Sequence, residues 1–88
     1  MRHLISAGSF DKKLHRFLLN HPDLKNKTKG TLGLLSKDVF SASLETHKLS
    51  GSLKMFYGAS INNSYRIVFI FDTENVFLLN IGSHDEVY

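Results

Sequence analysis

The chain has 88 residues, 42% of them aliphatic or aromatic, with seven Phe and three Tyr. That is enough for one packed core, spanning residues 1–88 as a single domain, and too apolar for disorder at a net charge of +3. Cysteine is absent, which excludes a disulfide scaffold, a thiolate zinc site and a Cys nucleophile.

In chain order, His3 to Ser6 reads as a short first strand. Ser9 is the expected N-cap of a first helix, its hydroxyl accepting from a free amide of the next turn. Phe10, Leu14, Phe17 and Leu18 then recur at helical spacing and form one apolar stripe. Asn20 to Asp23 ends that helix, and Pro22 suits the first turn of the next. Leu24, Thr28, Leu32 and Leu35 carry the second helix to about Lys37, weakened by Gly30 and Gly33. Asp38 to Ser52 lacks a period and reads as loop with at most a turn of helix. From Lys54 the period becomes that of strands: Lys54–Ile61, Tyr65–Phe71 and Val76–Ile81, joined at Asn62–Ser64 and Asp72–Asn75. Two short turns between three strands predict an antiparallel meander. The fold class is therefore α+β: a short N-terminal strand and two helices packed on one face of a small antiparallel sheet.

Charge is uneven. Residues 1–44 carry eight basic and three acidic side chains, and residues 45–88 carry three and five. The basic excess (Lys12, Lys13, Arg16, Lys25, Lys27, Lys29 and Lys37) reads as the solvated side of the helices. A polyanion-facing stripe is the functional alternative. The longest apolar run, Ile67 to Phe71, is too short to span a bilayer, and no secretory leader is legible, so a cytoplasmic protein with no membrane partner is expected.

Alternation puts Tyr65, Ile67, Phe69 and Phe71 on the face assigned to the helices, and Arg66, Val68 and Ile70 on the open one. Arg66 then serves either an ion pair with Glu45 or Glu74, or an anion site. Val68 and Ile70 leave apolar surface that a protein partner is expected to cover.

Three segments carry a resemblance. His47 to Lys54 resembles the H-x-L-x-G-x-x-K entry to the sheet of small bacterial toxins of the RelE/ParE superfamily. Ser64 to Phe69 resembles their x-Y-R-[IL]-[VI]-[FY] central strand, and Gly82-Ser83-His84 resembles the G-[ST]-H ending of the YafQ-like and StbE-like branch. The resemblance covers the whole chain and implies a ribosome-dependent mRNA endonuclease, restrained by a cognate antitoxin. The sister ParE branch implies a gyrase-poisoning alternative, and a catalytically degenerate, antitoxin-binding member is the third. Its expected partners are the antitoxin, the ribosome and mRNA, with promoter DNA reached only through the toxin–antitoxin complex.

Metal-free RNA cleavage needs a base for the 2′-hydroxyl, a cation for the phosphorane and an acid for the departing 5′-oxygen, and no cofactor. By resemblance these roles fall to His47 as base, Arg66 as phosphate contact and His84 as acid. Lys54 is a second phosphate contact, Lys48 a weaker one, and Tyr88 orients or stacks on a base. His3, His15 and His21 are assigned to helix surface or turn. The chain departs from the branch at Ser60 and Ser64, where a His and an Asp stand, and at Met55 and Asn63.

Overall fold

A computed structural model describes residues 1–49, 51 and 55–87. The apolar stripe of the first half folds as α1 (Phe10–Asn20) and α2 (Lys25–Lys37), joined by a 3-10 turn at Pro22–Leu24. Ser9 occupies the N-cap position of α1, but its hydroxyl makes no capping bond. The hydroxyl that engages the first turn is that of Ser6, which donates to Asp11 Oδ1 at 2.5 Å.

Five strands make one sheet: β1 (His3–Ser6), β2 (His47–Lys48), β3 (Tyr57–Ser60), β4 (Tyr65–Phe71) and β5 (Asn75–Ser83). Their spatial order is β1-β5-β4-β3-β2. The meander from β2 to β5 is antiparallel as expected, whereas β1 joins the far edge parallel to β5, so the sheet is mixed. Since β1 and β2 lie on opposite edges, the helices between them must cross the sheet, and they do so over one face. Phe10, Phe17 and Leu35 pack there against Ile67, Phe69, Val76, Leu78 and Ile81, on the face that alternation assigned to the helices.

Leu78 and Ile81 reach the same core although three residues apart, because β5 carries a bulge. Val68 pairs with Asn80 and Phe69 with Leu78, leaving Leu79 as an extra residue. The β3–β4 and β4–β5 turns are each closed by a side-chain oxygen. Asn62 Oδ1 accepts from Ser64 N at 2.8 Å and Tyr65 N at 2.9 Å. Asp72 Oδ1 accepts from Glu74 N at 2.9 Å and Asn75 N at 2.7 Å.

The two amide bonds hold the exposed Asp72 carboxyl below its ordinary pKa. Its folded pKa is depressed, so the stability it contributes is complete above the ordinary Asp range and lost as pH falls through the lowered value. Thermal melts between about pH 5 and pH 2 should therefore slope less in Asp72→Asn than in the parent, because the amide keeps an acceptor oxygen but does not titrate. In α2, a Cβ at Gly30 or Gly33 meets nothing within 4 Å, and both positions are exposed. Gly30→Ala and Gly33→Ala should each raise unfolding free energy by about 1 kcal/mol in urea titrations.

Two elements lay outside the sequence reading. The loop after α2 holds the expected short turn, a 3-10 segment at Ala42–Leu44, but then adds β2. A last short helix, α3 (His84–Val87), follows β5 directly. Together they alter the open face. Val68 is buried under Leu49 and Val87 of this same chain, with Phe56 and Leu79 around them. The apolar surface expected to await a partner at Val68 is thus covered internally, while Ile70 stays half-buried.

Candidate active site on the open face of the sheet

Register places the site residues. His47 pairs with Gly58, Gly58 with Val68, and Val68 with Asn80, so His47 belongs to the open face that carries Val68. One step along, Ser60, Arg66 and Gly82 form the next row of that face. His47 and Arg66 are therefore two strands and two residues apart, roughly 12 Å between backbones. His84 begins α3 one residue beyond Ser83, which pairs with Tyr65, and so stands at the end of the strand neighbouring Arg66.

Lys48 pairs with Tyr57, whose ring stacks on Phe69 and tilts onto Phe71 on the helix side. The period of two thus sends Lys48 to the face opposite His47, and a shared phosphate contact with His47 finds no support in the register. Lys54 and Tyr88 lie outside the described residues.

Arg66 is half-buried, and neither Glu45 nor Glu74 pairs with it. Among the described residues its hydrogen bonds all leave from Nη1. They reach Asn62 O at 2.7 Å, Ser60 Oγ at 3.3 Å and Tyr65 O at 3.4 Å. Ser60 Oγ in turn donates to Asn62 O at 2.8 Å. One edge of the guanidinium is thereby fixed to the β3–β4 turn by neutral acceptors, and its positive charge is not neutralised there. Asn62 was not singled out from sequence as a site residue, and Ser60 was named only as a departure from the branch. The signal was the turn length: a turn at Asn62–Ser64 sets Ser60 opposite Arg66 in an antiparallel pair.

The His47 ring is exposed, with Nδ1 3.3 Å from Glu45 O. With Nδ1 as the donor, Nε2 is the ring's acceptor, the form a base needs. Glu45 reaches this position with φ 48°, the one non-glycine residue of the described chain in left-handed backbone. His84 is largely exposed, its Nδ1 3.8 Å from Asp85 Oδ1. Among the described residues no group of three or more His, Asp or Glu side chains is arranged to hold a metal ion. Among these residues, too, no helix is long and apolar enough to cross a membrane.

His21 lies in the turn between α1 and the 3-10 segment, as expected, and its ring packs in an aromatic group. Its ring centroid lies 4.6 Å from that of Phe17 and 4.5 Å from that of Tyr65. Lys13 and Arg16, read as solvated helix surface, line a cleft against β5.

No protein-family model and no curated protein matches the chain. Solved structures do. YafQ from E. coli is similar over 100% of this chain and 99% of its own, at a TM-score of 0.83 and 20% identity. The E. coli DinJ–YafQ toxin–antitoxin complex contains a chain similar over 99% of this one and 97% of its own, with a TM-score of 0.81 and 21% identity. A copper-bound mutant toxin from Helicobacter pylori is similar over the full length of both chains, with a TM-score of 0.78 and 28% identity. The likeness runs through every element from β1 to α3, in agreement with the three sequence motifs. The chain thus has the fold of these toxins, the RelE-like arrangement of helices on one small sheet.

Proposed function

We propose that the chain is the toxin of a toxin–antitoxin pair and cleaves translated mRNA on the ribosome without a metal. The observation that carries this reading is the register that sets His47 and Arg66 on one face, with His84 at the end of the adjoining strand. The roughly 12 Å between the first two backbones leaves room for a phosphodiester between their side chains. His47 takes the 2′-hydroxyl proton, and the O2′–P bond forms. Arg66, fixed through Nη1, turns its remaining donors to the phosphorane. The P–O5′ bond breaks as His84 gives its proton to the leaving oxygen. Lys54 as a second phosphate contact and Tyr88 as a base-orienting aromatic complete the proposed site. The small exposed face holds few groups for RNA, so the ribosome supplies the orientation of the message. A cognate antitoxin is the proposed restraining partner, supported by the complex in which a similar chain is found with DinJ.

One observation favours a second reading, a degenerate member that only binds antitoxin. Ser60, where the branch carries a His, is spent here on Asn62 O and Arg66. Induced expression with mapping of transcript ends separates these readings. New ends inside translated frames, and none in an untranslated control transcript, are expected. Growth arrest without new ends but with lost DNA supercoiling overturns the nuclease in favour of gyrase poisoning. Antitoxin binding with no growth effect overturns it in favour of the degenerate member.

A further inference from the structure

The helix that begins with His84 has only four residues, His84–Val87. A helix that short does not nucleate by itself, because fixing its first turn costs more than its few hydrogen bonds contribute. It must be held at both ends, and both holds are visible. At the far end Val87 is buried against Val68 and Leu49 on the open face of the sheet. At the start Ser83 and Glu86 bond each other reciprocally. Glu86 N donates to Ser83 Oγ at 3.3 Å, and Ser83 N donates to Glu86 Oε1 at 2.8 Å. This is a capping box, the Ser-x-x-Glu pattern in which each side chain serves the other residue's amide. His84 lies between the two holds.

Gly82 leaves the room that the box needs. A Cβ there would lie 3.1 Å from Glu86 Oε1 and 3.2 Å from Glu86 Cβ. The Ser83 amide, and then its hydroxyl, hold the Glu86 carboxyl below its ordinary pKa. Glu86 therefore stays ionised, an acceptor only, through the range in which an imidazole exchanges its proton. Asp85, the other carboxylate of α3, is fully exposed and stands 3.8 Å from His84 Nδ1, beyond hydrogen-bond reach. It is thus a poor device for directing the ring. We propose that Ser83 and Glu86 are positioning residues, whose reciprocal bonds fix where His84 stands at the margin of the open face. The purpose of this placement rests on the nuclease reading, since an acid displaced by about 1 Å can lose 100-fold in rate. The placement itself rests on the geometry of α3 alone.

The test uses the full chain and three variants, Glu86→Ala, Glu86→Gln and Ser83→Ala, each read in two ways. NMR reads the placement, through hydrogen exchange at the Ser83 amide and backbone relaxation at His84. Transcript-end mapping on translating ribosomes, at increasing protein concentration, reads the cleavage rate and the half-saturating concentration. Glu86→Ala should speed exchange at Ser83 several-fold and loosen His84. Its saturated cleavage rate should fall by about tenfold or more at unchanged half-saturation. Ser83→Ala should move both readings the same way. Glu86→Gln keeps an acceptor oxygen for the box and should match the parent in both. The proposal is overturned if Glu86→Ala leaves His84 as ordered as in the parent, whatever happens to cleavage. It is also overturned if Glu86→Gln fails to restore that order, or if a loosened His84 cleaves at the parent's rate. A parent that makes no new ends overturns the nuclease instead, and relaxation at His84 then decides the placement by itself.

Discussion

With Arg66 replaced by Ala, the proposed cleavage of translated messages should fall about 100-fold or more, the scale of losing a fixed cation at a developing charge. The effect should appear in the chemical step and not in folding. The hydrogen bonds lost go to neutral acceptors near the surface, so unfolding free energy should drop by only about 1 kcal/mol. Arg66→Lys keeps the charge but not the planar fork that reaches Asn62 O and a phosphate together. It should recover part of the stability and little of the cleavage. Primer extension on a translated reporter, with urea titration of each variant, separates the two effects. Wild-type cleavage by Arg66→Ala, with the fold intact, would sink the assignment.

Phe69→Ala carries the largest expected loss of stability. Phe69 is fully buried at the centre of the middle strand, its ring 5.9 Å from Tyr57 and 6.1 Å from Phe71. Truncation of such a ring costs about 3–5 kcal/mol. A domain of this size has roughly 4–13 kcal/mol in total, so this one truncation removes a large share of its stability. A lower urea midpoint at unchanged slope is the expected result. A loss below about 1 kcal/mol would mean that Phe69 is not the keystone of the helix-side core.

Much of this architecture was legible because it rests on periodicity. Helix spacing at Phe10, Leu14 and Phe17 and strand alternation at Tyr65 to Phe71 are strong local signals, and both elements formed where expected. The β5 pattern was harder to read. Val76, Leu78 and Ile81 break a period of two, and only the bulge at Leu79 reconciles them with one core. β2 and α3 were missed because two and four residues are too few to show a period. The covering of Val68 was missed with them, since Leu49 follows β2 directly and Val87 ends α3. Of the site, Arg66 could be placed on the open face by alternation alone. The turn length sets Ser60 opposite Arg66, but the bonds from the guanidinium to Ser60 Oγ and Asn62 O depend on side-chain reach, which no pattern shows. The parting of Lys48 from His47 needed the register of a strand too short to foresee.

The parallel pairing of β1 with β5 joins His3 to Asn75, the most distant partners in the sheet. Such a contact closes a very long loop, and loops of that length slow folding. During synthesis β1 emerges first and has no strand to pair with until Asn75–Leu78 leaves the ribosome. Nascent chains that lack Asn75–Leu78 cannot complete the sheet, so it closes only after the strands of the meander have been made. This topology builds in a delay between the making of β1 and the closing of the sheet that holds it.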